Sequence, residues 1–241
     1  MIKSIEKSLR ILNFIAEGNG EPVTLKEISS ALDIHISTCF HIIETLVELH
    51  YVEKASKGKG YVIGPEIYAI STRQNYKDAL LRSAVPQMNK LCREIKETVV
   101  ISTFVNGKLY IPYHAYYKDE KVYRKMTQQG NLFSSACGLV TLAFMDRYDL
   151  EQVKIKSNEE FLSQLKSKKD VLNQIKKDGF YIKNEIVDGT SAVAYPIFAN
   201  GKIISSVGVY MPSERFCGEH LEETLIKLEK TAINIAKKYE L

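Results

Sequence analysis

The 241-residue chain holds only four cysteines, and Cys39, Cys92, Cys137 and Cys217 stand far apart. No two have the spacing of a zinc or redox site, which points to reduced, mainly structural thiols in a cytoplasmic protein. No apolar run approaches the ~20 residues that cross a bilayer. The amino terminus leads straight into an amphipathic helix and lacks a signal peptide's apolar region. Also missing are a Gly-x-Ser-x-Gly elbow, an HExxH helix and a phosphate-cradling glycine loop. Cys137 with His114 or His220, or a hydroxyl nucleophile at Ser134 or Ser135, would be the catalytic groups to look for. Nothing in their spacing supports such a site, so no enzyme, metal or cofactor is expected.

A strong charge of one sign is missing too. The net charge is +4, and residues 1–75 carry eight Lys/Arg against nine Asp/Glu, so the surplus lies in the rest of the chain. Bulk electrostatics therefore does not advertise nucleic-acid binding. The apolar fraction of 45% is enough for real cores, and this length spans one or two domains.

Residues 24–64 carry the sharpest pattern. Thr24-Leu25-Lys26-Glu27 is a capping box that opens a short helix to about Leu32, ended by Asp33. A second helix contains Ser37 to Leu46. Two short strands follow, Tyr51–Lys54 and Tyr61–Gly64, around the cationic tip Lys57-Gly58-Lys59-Gly60. Two helices and a basic hairpin in that order form a winged helix-turn-helix, which puts its second helix in a major groove. At 100° per residue, Cys39, Ile42, Ile43, Leu46 and Leu49 turn inward, while Ser37, Thr38, His41, Glu44, Thr45 and Glu48 turn outward. Phe40 and Ile36 lie on the boundary. Local cations are Lys54, Lys57 and Lys59 on the wing and Lys3, Lys7 and Arg10 on the first helix. So few phosphate contacts per subunit make a dimer close to a requirement for DNA binding.

Residues 4–70 resemble the DNA-binding domain of the IclR (isocitrate lyase regulator) family of prokaryotic transcription factors. The resemblance rests on the first helix Ser4–Leu12, the pair Ser37-Thr38 opening the recognition helix, and the wing ending Tyr61-Val62-Ile63-Gly64. It implies DNA contacts from Ser37, Thr38, Phe40, His41, Thr45, Lys54, Lys57, Lys59 and Lys3. Family members commonly carry basic residues where this chain has Ile36 and His41. Without Arg or Lys on that helix there is no bidentate guanine contact, and A·T-rich half-sites are expected.

Pro65 to Tyr76 reads as a short helix and Ala79 to Glu97 as a second, with Pro86 either kinking it or starting a new one. These helices form a linker, a dimer surface or a core-facing layer. Beyond Thr98 the pattern turns to strands: Val99–Val105 and Lys108–Tyr113 flank Asn106-Gly107, Lys121–Thr127 is another candidate, and Tyr181-Ile182, Ser191–Phe198 and Lys202–Tyr210 follow, the last pair joined at Asn200-Gly201. Between them lie a buried helix from Ser135, charged helices opening at Ser157 and Asp170, and a final helix from Gly218 to Tyr239. The fold class is α+β, with a winged helix-turn-helix over residues 1–65, a helical linker over 66–97 and a GAF-like effector-binding domain over 98–241.

The second half also resembles that family, through Gly130–Gly138, Gly179-Phe180-Tyr181, Val193-Ala194-Tyr195-Pro196 and Met211-Pro212-x-x-Arg215. In the family these segments close over a small organic acid or aromatic metabolite. The resemblance implies effector contacts from Phe133, Ser134, Ser135, Ala136, Glu185, Asp188, Ala192, Tyr195, Gly208 and Tyr210, with Tyr110 and Tyr113 as further lining. A helix start with free backbone N–H groups suits a carboxylate, although Ser135 serves equally as a simple N-cap. The family often has cysteine at Ala192, serines at Gly208 and Tyr210, and histidine and lysine at Phe133 and Leu139. The implied pocket is thus more aromatic and less suited to small dicarboxylates. The whole reads as a dimeric, possibly tetrameric, ligand-responsive regulator of double-stranded operator DNA, with repression the expected sign. The alternatives are a sensor whose amino-terminal domain contacts protein, and a small-molecule enzyme.

Overall fold

The computed structural model describes residues 2–18, 20–55, 60–73, 78–105, 108–117, 129–130, 132–155, 159–186 and 189–240. The chain divides into two compact units, Met1–Tyr76 and Lys77–Leu241.

The first unit contains α1 (Lys3–Glu17), α2 (Leu25–Leu32), α3 (Ile36–Glu48), β1 (Val52–Lys54), β2 (Tyr61–Ile63) and α4 (Pro65–Arg73). The capping box forms as its sequence predicts: the Glu27 N–H donates to Thr24 Oγ1 at 3.3 Å, and the Thr24 N–H donates to the Glu27 carboxylate at 2.8 Å. Asp33 ends α2 in the left-handed region at φ 52°. Arg10 donates to the Leu32 carbonyl at 3.1 Å, satisfying an orphan acceptor at that helix end. Ile11 and Ile15 from α1, Ile28 from α2, and Cys39 and Ile43 from α3 pack into one core with Val52 of the wing. Leu49, expected to turn inward, is exposed, because the backbone leaves the helix at that residue. The antiparallel wing pairs Val52 with Ile63 and Lys54 with Tyr61. A Cβ on Gly64 would lie 2.3 Å from the His50 carbonyl oxygen, so only glycine lets the wing return so close to the end of α3.

The second unit contains α5 (Asp78–Ile95), β3 (Thr98–Val105), β4 (Lys108–Ala115), β5 (Gln129–Gly130), α6 (Ala136–Phe144), α7 (Arg147–Ile155), α8 (Glu159–Ser167), α9 (Lys169–Asp178), β6 (Tyr181–Ile186), β7 (Thr190–Ala199), β8 (Lys202–Pro212), the 3-10 turn Ser213–Arg215 and α10 (Gly218–Tyr239). Its strands form one antiparallel sheet in the order β5-β4-β3-β8-β7-β6. Period-two alternation gives the sheet two apolar faces. Val99, Val193, Val207 and Val209 pack against α5 and α10, while Val100, Ala192 and Ala194 pack against α6 and α9.

Helix α5 runs unbroken through Pro86 and places Leu80, Ala84, Met88 and Leu91 in the first of those cores. Apolar contacts on both sides of the proline hold the helix together despite the missing N–H. The Asn200-Gly201 turn adopts φ 49° and 72°, the positive pair that a two-residue hairpin needs. Asn106-Gly107, the strand expected over residues 121–127 and the cap at residues 157–158 lie outside the described residues. Helix α7 was not expected, and β6 is longer than the Tyr181-Ile182 pair that suggests it.

Helix α6 and strand β8 approach each other closely. A Cβ on Gly208 would lie 2.8 Å from Cys137 Sγ and 3.1 Å from the Val193 carbonyl oxygen. Buried hydroxyls fix the register alongside: Ser206 Oγ lies 2.6 Å from Ser102 Oγ and donates to the Cys137 carbonyl at 3.1 Å. Gly208→Val is expected to destabilise the second unit by about 1–3 kcal/mol through overpacking, measured as a lower denaturation midpoint.

Candidate functional sites

In the first unit the solvent face of α3 carries Ser37, Phe40, His41 and Thr45, all exposed, with Thr38 half-buried beside them. These residues stand on one helix face because Cys39, Ile43 and Leu46 occupy the other. His35 Nδ1 lies 2.8 Å from Ser37 Oγ, which orients the first residue of that face. Thr45 donates to the His41 carbonyl at 3.0 Å and keeps its oxygen lone pairs. The Phe40 and His41 rings meet edge to face at 5.7 Å, so each limits the other's rotamers. Lys3 is exposed at the start of α1.

Lys54 is engaged with its own fold: Nζ lies 2.9 Å and 3.1 Å from the two Glu44 oxygens. That pair raises the lysine's pKa and ties β1 to α3. Part of the cationic charge read from the wing is thus neutralised by the recognition helix itself. Lys57 and Lys59 lie outside the described residues.

In the second unit α6 supplies the other candidate site. Ser135 is its N-cap and accepts from the Gly138 N–H at 3.0 Å, the expected local role. The Leu139 N–H closes the first helical turn on the Ser135 carbonyl at 3.1 Å. Ala136 at that start, Ala192 on β7, and Gly208 and Tyr210 on β8 come together on the α6 face of the sheet. Burial pushes the Tyr210 phenol well above its ordinary pKa of 10, so the ring stays neutral.

Two of the remaining expected contacts, Tyr195 and Phe133, are placed differently. Tyr195 follows Ala194 along β7 and faces the α5–α10 layer, stacked on Phe180 at 5.0 Å. Burial there moves its pKa up to about 12. Tyr113 also packs in that layer and donates to Asn89 Oδ1 at 3.0 Å. Phe133 joins a smaller cluster under α8, edge-on to Phe161 at 4.9 Å. Glu185 lies on β6 with its side chain outside the described residues, as is all of Asp188.

One group on the α6 face, Lys183, escapes a reading of the sequence, and a second, His114, enters that reading only as a partner for Cys137. Lys183 is cross-strand from Ala192 and donates through Nζ to the Ser134 carbonyl, bringing a cation to the start of α6. Burial, reinforced by the nearby Lys168 charge, lowers its pKa. His114 lies on β4 opposite Val100, with Nδ1 2.6 Å from the Tyr116 hydroxyl. Both follow from the period-two alternation once the register is known, but neither belongs to a local motif.

The thiol–imidazole pairings do not form. Cys137 is buried on the inner face of α6 with its thiol pushed up to about 11, mainly by burial. His220 instead lies 3.1 Å from Glu97 Oε1, a carboxylate also held by two Arg215 hydrogen bonds of 2.7 and 2.8 Å. Among the described residues no group of three His, Cys, Asp or Glu is arranged to hold a metal ion, and no helix is long and apolar enough to cross a membrane.

Comparison with known proteins agrees with this architecture. Residues 4–56 match the IclR helix-turn-helix domain, and residues 76–237 match the bacterial transcriptional regulator IclR C-terminal domain. The HTH-type transcriptional regulator KdgR of Escherichia coli (strain K12) is 25% identical over 242 residues, covering 97% of this chain and 92% of that protein. The crystal structure of an IclR transcriptional regulator from Alicyclobacillus acidocaldarius superposes with a TM-score of 0.75 at 18% identity, covering 99% of each chain. An IclR homologue from Microbacterium hydrocarbonoxydans, complexed with 4-hydroxybenzoate, gives 0.75 at 16% identity over 98% of each chain. Two domain matches in the expected order, together covering most of the sequence, place the chain among regulators that bind DNA through a helix-turn-helix and are not enzymes. The chain belongs to the IclR family of bacterial transcriptional regulators.

Proposed function

We propose that this regulator acts in the cytoplasm as a homodimer, represses transcription from A·T-rich operators, and releases or rearranges on binding an organic acid or aromatic metabolite in its second unit. The observation that carries the DNA reading is the exposed Ser37–Phe40–His41–Thr45 face on a helix whose opposite side is locked into a core. That face has hydrogen-bonding groups and a ring for a thymine methyl, but no Arg or Lys for guanine. Lys3, Lys57 and Lys59 serve as phosphate contacts in this reading. A dimer doubles that small count and presents two helices about one helical turn apart, or a multiple of it.

An apolar stripe supports the dimer. Ile5 and Leu9 are 55% and 56% exposed one turn apart on α1, with Ile2 beside them. Burying such a stripe against a second copy removes apolar area from water on both sides. The effector reading rests on the start of α6 over Ala192, Gly208 and Tyr210, where the helix N-terminus and the Lys183 ammonium favour a carboxylate. The Microbacterium homologue's 4-hydroxybenzoate is an aromatic acid of that class. Residues 66–97 are the proposed link through which the effector biases the DNA-binding units, by no more than its differential affinity for the two states.

Sedimentation of Ile5→Lys/Leu9→Lys against the wild type tests the dimer. A wild-type dimer that becomes monomeric, with DNA affinity on a two-half-site duplex falling by at least about tenfold, is expected. A double variant that stays dimeric would move the interface elsewhere.

A further inference from the structure

We propose that His114 is a specificity-determining hydrogen-bond donor, presenting its Nε2–H to a carboxylate oxygen of an effector held against the α6 face beside Tyr210. This rests on the reading that the face under the start of α6 takes the effector.

Register fixes the direction of the imidazole. His114 pairs with Val100, which pairs with Gly208, so the three form one cross-strand row over β4, β3 and β8. Val100 packs in the α6 layer, and Gly208 lies against Cys137 of α6. Ala115, the next residue along β4, packs in the opposite layer with α5. Cross-strand partners share a face, so the His114 ring stands on the α6 side, two strand spacings or about 10 Å from Gly208. Tyr210 occupies the adjacent row, paired with Thr98.

The hydrogen bonding fixes what the ring offers. A phenol is the more acidic partner and a neutral imidazole nitrogen the better acceptor. At 2.6 Å the Tyr116 hydroxyl therefore donates to Nδ1. The remaining proton then sits on Nε2, which is buried and has no hydrogen-bond partner among the described residues. Burial holds the ring neutral, with its pKa lowered from 6.5 to about 4. His114 is thus a fixed, uncharged donor with its acceptor missing. A ligand oxygen that supplies the acceptor gains roughly tenfold to a hundredfold in affinity over one that does not. Carboxylate oxygens suit it best, because charge-assisted hydrogen bonds are the stronger kind. Cationic and purely aliphatic ligands gain nothing from it.

The test uses the full-length protein with 4-hydroxybenzoate as probe. Calorimetry is expected to show saturable binding to the wild type, at least tenfold weaker binding to His114→Leu, and affinity within a few fold of wild type for His114→Gln, whose amide keeps a donor. Without probe, His114→Leu is expected to melt no lower than the wild type, since it removes an unmet donor. Nitrogen-15 spectra of the wild-type imidazole should show the Nε2–H tautomer, with its resonance moving as probe is added. If the wild type binds the probe but His114→Leu binds equally well, or if the ring is the Nδ1–H tautomer, this inference alone is overturned. If the wild type binds no probe at all, the effector-face reading falls and this inference with it. Should His114→Leu fail to fold, His114→Gln and the spectra decide between the same outcomes.

Discussion

Alanine at both His41 and Thr45 is expected to weaken binding to the specific operator by about tenfold to a hundredfold while leaving random duplex nearly untouched. Both side chains lie on the exposed face of α3, and neither contributes to the core beneath. Direct readout is worth about 1–3 kcal/mol for a well-placed polar contact, and nothing else on this helix replaces it. Non-specific affinity comes from phosphate neutralisation, which the double substitution does not change. Exposed substitutions of this kind alter stability by about 0.5 kcal/mol or less, so lost affinity cannot be ascribed to unfolding. Competition between operator and random DNA at fixed salt measures the ratio. A uniform loss on both duplexes would instead mean that α3 contributes only backbone contacts.

The second large effect is on stability in mild acid. His114 titrates at an ordinary 6.5 in the unfolded chain but near 4 in the folded one, because burial penalises its charged form. Below pH 6.5 the unfolded state takes up a proton that the folded state refuses, so stability falls as pH drops from about 6.5 to 4. The shift corresponds to about 3 kcal/mol across that window. Carboxylates held low in the folded state, such as Asp146 with its Asp149 N–H and Lys202 partners, also lose stabilising contacts in acid. Comparing His114→Leu with the wild type removes that shared background. The variant is expected to lose about 3 kcal/mol less between pH 7 and pH 4, read from denaturant unfolding of the second unit. Equal losses would mean that the imidazole is solvated.

Much of the fold is legible in the sequence because several short-range signals coincide. The Thr24–Glu27 box, the αL stop at Asp33 and the α3 periodicity agree on the first unit. Asn200-Gly201 marks its hairpin by the positive φ that these residues tolerate. The final helix begins and ends where its pattern predicts. Helix α7 is missed because Arg147–Ile155 is short and weakly amphipathic. Strand β6 is truncated in the reading because Lys183, Asn184 and Glu185 are poor strand formers on an outer edge of the sheet.

The effector site is less legible because it is a product of register. Ala192, Gly208 and Tyr210 meet only through the β7–β8 pairing, and His114 joins that face through two further pairings. Tyr195 is the instructive case. Alternation along β7 sends it away from Ala192 and Ala194, and that was readable from the strand alone. For the DNA site, the sequence displays the lysines but not their partners, so the engagement of Lys54 by Glu44 appears only in three dimensions.

The most direct test of the central claim is fluorescence anisotropy of the purified full-length protein on DNA upstream of its own gene, across a salt series, against a shuffled duplex of the same composition. A ligand-responsive operator-binding dimer predicts tighter binding to the natural duplex, a linear fall of log affinity with log salt, and a change in that affinity when effector is added. Absence of binding to either duplex even at low salt would contradict it, and would assign the amino-terminal unit to a protein partner instead.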